Sequence, residues 1–124
     1  MKAILIDSKQ KSVSLVMVGD EAHNMLHDMH AKIGCNIFTS AGHLQHEDMQ
    51  DTLYVDDNGL INGTKEFFFN PDFYPHPLAG NGLIIGTDVA GERIDVKSET
   101  SQVAKNTEFM SRGENAARFA SEVK

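Results

Sequence analysis

Two apolar runs open the chain, Ala3-Ile4-Leu5-Ile6 and residues 13–18, with the polar stretch Ser8-Lys9-Gln10-Lys11 between them. That pattern predicts an N-terminal β-hairpin. In the second run Val13, Leu15 and Met17 alternate with Ser12, Ser14 and Val16, which predicts one buried face and one partly covered face. The period then changes. Ala22, Met25, Leu26, Met29 and Ile33 fall at i, i+3, i+4, i+7 and i+11, one apolar stripe of a helix. Asp20 is the expected N-cap, Glu21 complements the positive end of the helix dipole, and Gly34 stands where a left-handed C-terminal residue belongs.

Beyond the helix the pattern returns to short strands. Residues 36–40 read as a strand and the polar stretch 41–52 (AGHLQHEDMQDT) as a loop. Leu53-Tyr54-Val55 is a strand, and Asp56-Asp57-Asn58-Gly59 a tight turn with Gly59 supplying positive φ. Leu60-Ile61 returns and Asn62-Gly63 turns again. Phe67-Phe68-Phe69 leads into Asn70-Pro71, and Pro71, Pro75 and Pro77 make the next piece an irregular ordered loop. Gly80-Asn81-Gly82 precedes the buried strand Leu83-Ile84-Ile85. A turn over 89–92 leads to a last strand, Arg93-Ile94-Asp95-Val96.

The sum is an α+β domain over residues 1–96. Its largely antiparallel sheet of about five to seven strands is backed by one amphipathic helix. Residues 97–124 are polar and alanine-containing, and read as a helical C-terminal extension broken near Gly113. Ala116, Ala120 and Val123 lie there at helical spacing, with Phe119 beside them.

Charge narrows the range of functions. Eleven basic residues face 18 acidic ones, for a net charge of -7. Binding to a nucleic-acid backbone needs clustered Lys and Arg, so direct nucleic-acid binding is not expected. No segment reaches the roughly 18 apolar residues that cross a bilayer, and the N-terminus lacks the apolar run and cleavage site of a signal peptide. The expected location is the cytoplasm. Cys35 is the single cysteine, so no intrachain disulfide forms, and with no activating base beside it a half-buried core role is expected.

Each constellation that could carry chemistry has a plainer reading. His23, His27 and His30 share a helical stripe, and His43 and His46 follow nearby. Imidazoles at i and i+4 can share a zinc ion, but the pattern that adds a general base to such a pair is absent. Boundary or solvated histidines are the expectation. Gly80-Asn81-Gly82 precedes a strand, whereas phosphate cradles usually open a helix, which favours a turn. Asp56-Asp57-Asn58 begins like a calcium loop, but its closing position, the twelfth, is Phe67 rather than glutamate. No catalytic triad, paired-carboxylate signature or cofactor motif stands out, so neither catalytic residues nor a cofactor is assigned. What remains is the aromatic cluster. Alternation along Phe67-Phe68-Phe69 would expose at least one ring unless the proline-rich loop covers it; a core role is the expectation, and the alternative is that Phe68, Phe73 and Tyr74 beside Asn70, His76 and Asn81 line a ligand or partner pocket.

Taken together, YVDDNGLINGTKEFFFNP and LAGNGLIIGTD, behind an MKAILID strand and a glycine-closed helix, resemble an uncharacterised small-domain family carried by phages, plasmids and bacteria. The matching positions are Tyr54, Val55, Asp56, Gly59, Gly63, Asn70, Gly80, Asn81, Gly82 and Gly86, and the resemblance covers roughly residues 1–96. The long 41–52 stretch departs from the family pattern. The resemblance implies a mobile-element protein that acts on host machinery, and it carries no catalytic residues with it. The leading expectation is therefore a non-enzymatic binding protein that inhibits or modulates a host protein, for instance one in antiviral defence. The alternatives are a small-ligand binder, such as a sponge for a nucleotide messenger working at a homodimer interface, and a histidine-dependent metal-binding protein.

Overall fold

The computed structural model describes residues 1–59 and 64–111. In chain order the elements are β1 (Lys2–Asp7), β2 (Ser12–Met17), α1 (Ala22–Ile33), β3 (Phe38–Gln45) and β4 (Gln50–Asp56). They continue as β5 (Glu66–Phe69), β6 (Leu78–Ala79), β7 (Gly82–Thr87), β8 (Arg93–Ile94), α2 (Thr100–Asn106) and β9 (Glu108–Ser111). The protein is an α+β domain. A six-stranded antiparallel sheet runs β2-β1-β7-β4-β3, with β8 paired to the end of β7, and a three-stranded sheet runs β6-β5-β9.

The two faces of the large sheet bury different residues, because directly paired residues share a face. Ile4 pairs with Ile84, which pairs with Leu53. These three join Ile6, Val55, Phe68, Phe73 and Val103 in one core cluster beneath the small sheet and α2. Their neighbours along the strands, Ala3, Leu83 and Ile85, point the other way and pack with Met29 and Ile33 of α1. The large sheet is thus the middle of three layers, which explains why β7 reads Leu-Ile-Ile without alternation: it is covered on both faces.

The N-terminal hairpin forms as expected, with Ile6 opposite Val13 and Lys2 opposite Met17. Leu15 and Met17 remain 53% and 63% exposed, because β2 is an edge strand and the second layer ends short of them. Helix α1 begins one residue later than the sequence suggests, with Glu21 rather than Asp20 at the N-cap, and no side chain caps it. Asp20 instead accepts a bond from the amino group of Met1 (2.6 Å). The buried stripe is narrower than its pattern, with Met29 and Ile33 buried, Met25 half-buried, and Ala22 and Leu26 exposed. Gly34 closes the helix at φ 77°, its N–H donating to His30 O at 2.8 Å.

Two further expectations need correction, and the core reading of the phenylalanine run holds. Residues 41–52 are not a loop but the inner halves of β3 and β4, joined by a turn in which His46 N donates to Met49 O (2.8 Å). A bulge between Ser40 and Gly42 breaks the two-residue period, and the strand ends carry polar side chains, so no alternation was visible. Gly59 does not adopt positive φ; its requirement is space, since a Cβ there would lie 3.1 Å from Ala79 Cβ. None of the three consecutive phenylalanines is exposed, because β5 is the middle strand of a sheet lying on another: Phe67 and Phe68 are buried and Phe69 half-buried.

The segment after Val96 folds back onto the domain. Thr100–Asn106 is helical as expected, while Glu108–Ser111 is a strand that pairs with β5, Phe67 opposite Met110. The return strand and turn read at 60–63, and the helix read beyond Gly113, lie outside the described residues.

Candidate functional site

The loop that the sequence singles out is built around Asn70. This side chain is 2% exposed. Its Oδ1 accepts the Asp72 N–H (3.0 Å), and its Nδ2 donates to Thr107 Oγ1 (3.2 Å) and Val103 O (3.5 Å). Its carbonyl accepts from the amides of Phe73 and Tyr74. Asn106 Nδ2 donates to Asp72 Oδ2 at 2.8 Å, so the loop is bound to α2 at two points. Satisfying every group of a buried amide in this way is what a structural asparagine does.

The other site candidates divide. Phe68 and Phe73 belong to the core. Asn81 is a latch between elements: its Oδ1 accepts the Ser8 N–H (3.0 Å) and its Nδ2 donates to Lys32 O near the end of α1 (3.3 Å). The preceding Gly80 has φ 79°, and its carbonyl accepts a short bond from Ser8 Oγ. Tyr74 and His76 reach the surface, edge to face with centroids 5.9 Å apart.

Tyr74 lines an open cavity of about 450 Å³ between the two sheets. Thr39 and Ala41 of β3 and Val55 of β4 form one side. Leu78 and Ala79 of β6 form the other, with Tyr74 and Pro77 as an end wall. Asp56 and Asp57 stand at the rim. Asp56 Oδ1 accepts the Asn58 N–H at 2.9 Å, holding the turn that carries both carboxylates. An apolar floor, one aromatic wall and an anionic rim suit an apolar group that ends in a donor or a positive charge.

The histidines are dispersed by the fold. His23 and His27 are exposed on α1, and the His30 ring packs on Phe38 (5.0 Å between centroids). His43 Nδ1 bonds Thr52 Oγ1 (3.0 Å). Among the described residues no three His, Cys, Asp or Glu side chains come together so as to hold a metal ion. Cys35 lies below the end of α1, where burial and then the charge of Asp56 push its thiol above the ordinary value.

Two constellations escaped the sequence reading. The first is Asp51, fully buried, whose carboxylate accepts from Lys97 N (2.9 Å), Ser98 N (2.8 Å) and Ser98 Oγ (2.5 Å) and contacts His46 Nε2 (2.8 Å). It contains serine, histidine and aspartate but not the geometry of a nucleophilic relay. There the imidazole meets the acid with one nitrogen and the serine with the other. Here Nε2 faces both, and the hydroxyl lies closer to the carboxylate than to the ring (3.4 Å). The group fixes the 97–98 crossing to β4. Beside it Lys97 Nζ donates to Asp48 (3.1 Å), which holds that carboxyl below the usual range. The second is Arg93, whose guanidinium carbon lies 5.2 Å from the ring centroid of Tyr54 and 5.9 Å from that of Phe38 on the α1 side of the sheet. Both depend on residues more than 35 positions apart, and no local pattern marks them.

Fold and site together define a small α+β domain with a groove between two stacked sheets. Residues 1–109 match the domain of unknown function DUF3846, and the chain belongs to that family. The match runs past residue 96 and takes in α2 and the first two residues of β9. No curated protein and no solved structure matches it. Among the described residues no helix is long and apolar enough to cross a membrane.

Proposed function

We propose that this domain is a non-catalytic binding protein and that the groove beside Tyr74 receives a side chain or short segment of a protein partner. The observation that carries this reading is the composition of the groove: apolar along its floor, aromatic at its end, and edged by Asp56 and Asp57. An arginine or lysine of the partner would lay its stem along Val55 and Leu78 and place its charge among the carboxylates. The net charge of -7 steers encounter with a basic surface in the same direction. The family resemblance supplies the setting, a phage or plasmid protein in the host cytoplasm that inhibits or modulates a host protein, in antiviral defence for instance.

Affinity capture from host lysate tests this. The wild-type protein is expected to retain a specific partner that Tyr74→Ala and Asp57→Lys both lose. Capture that is unchanged by either substitution overturns the assignment of the groove, and no specific partner at all overturns the function.

A nucleotide messenger in the same groove is the second reading, favoured by the Tyr74 ring and the volume, which falls in the range of small-molecule pockets. Its phosphates would have to point away from Asp56 and Asp57. A ligand at 100 times its dissociation constant adds roughly 2.7 kcal/mol of stability, so thermal shifts with cyclic and linear nucleotides decide it.

A further inference from the structure

The two edges of the large sheet are built differently. At one edge β3 is broken by the bulge between Ser40 and Gly42. At the other, β2 is six residues of regular strand, Ser-Val-Ser-Leu-Val-Met, with no charged residue and no proline. Edge strands usually carry a charge, a proline or a bulge, because a bare edge offers its backbone groups to another strand. The ladder fixes which groups β2 offers. Met1 and Val18 exchange both backbone bonds, the Met1 amino group donating to Val18 O (2.5 Å) and Val18 N–H to Met1 O (2.9 Å). Bonded and non-bonded pairs alternate along an antiparallel ladder. Val16, Ser14 and Ser12 therefore bond to β1, and Val13, Leu15 and Met17 turn their N–H and C=O groups outward. Lys2, opposite Met17, agrees: its own groups face away from β2, to Asp95 Oδ1 (2.8 Å) and Val96 N (2.9 Å). Among the described residues nothing bonds to the outward groups of Val13, Leu15 and Met17.

The side chains of the same three residues share one face of the sheet, and two of them, Leu15 and Met17, are exposed large apolar groups. The strand is also complementary to itself. An outward-facing residue can form a bonded pair only with another outward-facing residue. Of the antiparallel self-pairings this allows, the one that sets Leu15 opposite its own counterpart engages all three residues, with Val13 opposite Met17 on either side. Each of these pairs exchanges both backbone bonds, and Leu15 and Met17 then lie against apolar groups. Past the strand ends, the same register brings the hairpin turn of one copy, with exposed Lys9 and Lys11, to the segment entering α1 of the other, with exposed Asp20 and Glu21. This charge match offsets the mutual repulsion of two chains of net charge -7.

We infer that the β2 edge is the contact surface for a second copy of this chain, paired antiparallel about a two-fold axis at Leu15 so that one sheet runs through both copies. This surface is separate from the Tyr74 groove, which borders β3 and β4 towards the opposite edge, and does not rest on it.

Sedimentation velocity of the full chain from about 1 μM to 1 mM tests the inference. A concentration-dependent dimer is expected that closes at two copies, because the two-fold axis uses both β2 edges. Leu15→Lys sets like charges opposite each other at the axis and is expected to weaken dimerisation at least about tenfold. Its thermal midpoint at low concentration should match that of wild type, since the Leu15 side chain is exposed in the single chain. Leu15→Pro removes one outward N–H without touching a bond to β1, and is expected to weaken the dimer likewise. Lys11→Glu is expected to weaken it as well, and Glu21→Lys added to Lys11→Glu to restore it, a rescue that a change in folding would not give. A monomer at every concentration overturns the inference and leaves the edge to a strand of another protein. A dimer that tolerates both Leu15 variants overturns it by placing the contact elsewhere, and failure of the rescue overturns the register on which it stands.

Discussion

At the scale of single residues, the sharpest constraints in this protein are contacts with backbone. A Cβ on Gly42 would sit 1.9 Å from the carbonyl oxygen of Phe73, so the β3 bulge and the aromatic loop exclude any side chain there. Gly42→Ala is expected to destabilise the domain by about 3 kcal/mol, read by urea denaturation, because two backbone segments must separate. Asp51 is a second such point. Asp51→Asn keeps the shape but replaces one of the two acceptor oxygens with a donor, facing either the Lys97 amide or the Ser98 amide and hydroxyl, for an expected loss of about 2–4 kcal/mol by the same measurement. Cys35 gives a test without mutation. A thiol pushed upward by burial and by Asp56 carries less thiolate at neutral pH, so iodoacetamide should modify it more slowly than glutathione. Modification at the free-thiol rate would contradict that environment.

At the scale of elements, exposure separates residues that the sequence pattern treats alike. Leu26 and Met29 both lie on the apolar stripe of α1, yet Leu26 is 44% exposed and Met29 is fully buried. Thermal or chemical unfolding should show a loss of about 2–4 kcal/mol for Met29→Ala and under about 1 kcal/mol for Leu26→Ala. The β5–β9 pairing makes a comparable claim for the segment after residue 96. Met110 is buried against Phe67 and Ala79, so an isolated charge there has no partner. Met110→Asp is expected to cost about 3 kcal/mol and to leave β9 open to proteolysis. Stability equal to wild type would mean that the small sheet contributes little to the fold.

At the scale of the whole molecule, openings lie on both sides of the central sheet. The groove between the sheets is anionic at its rim, and the cleft beside α1 sets Arg93 among Asp20 and Glu92. Partner binding through the groove should weaken as salt rises, since exposed charges are screened within about 10 Å at 0.1 M ionic strength. That dependence is checked by repeating the capture or a direct binding titration across a salt series. Binding unaffected by salt would argue for an apolar contact elsewhere.

Periodicity and turn chemistry alone determined the hairpin, the reach of α1 to Gly34, the buried β7 and the α+β class, because those signals are local: apolar spacing and a left-handed glycine. They also directed attention to the loop after Phe69, from which Tyr74 and Pro77 line the groove. Only the tertiary structure decided the rest. It made 41–52 a hairpin by burying Asp51 against the amides of Lys97 and Ser98, more than 40 residues away. It covered the second sheet face with β5, β6, β9 and α2, which sent Phe68 and Phe73 into the core and left Tyr74 and His76 at the surface. It set Arg93 on two aromatic rings from other strands. Burial, hydrogen-bond satisfaction and stacking are properties of residues brought together across the chain, and no local pattern records which ones will meet.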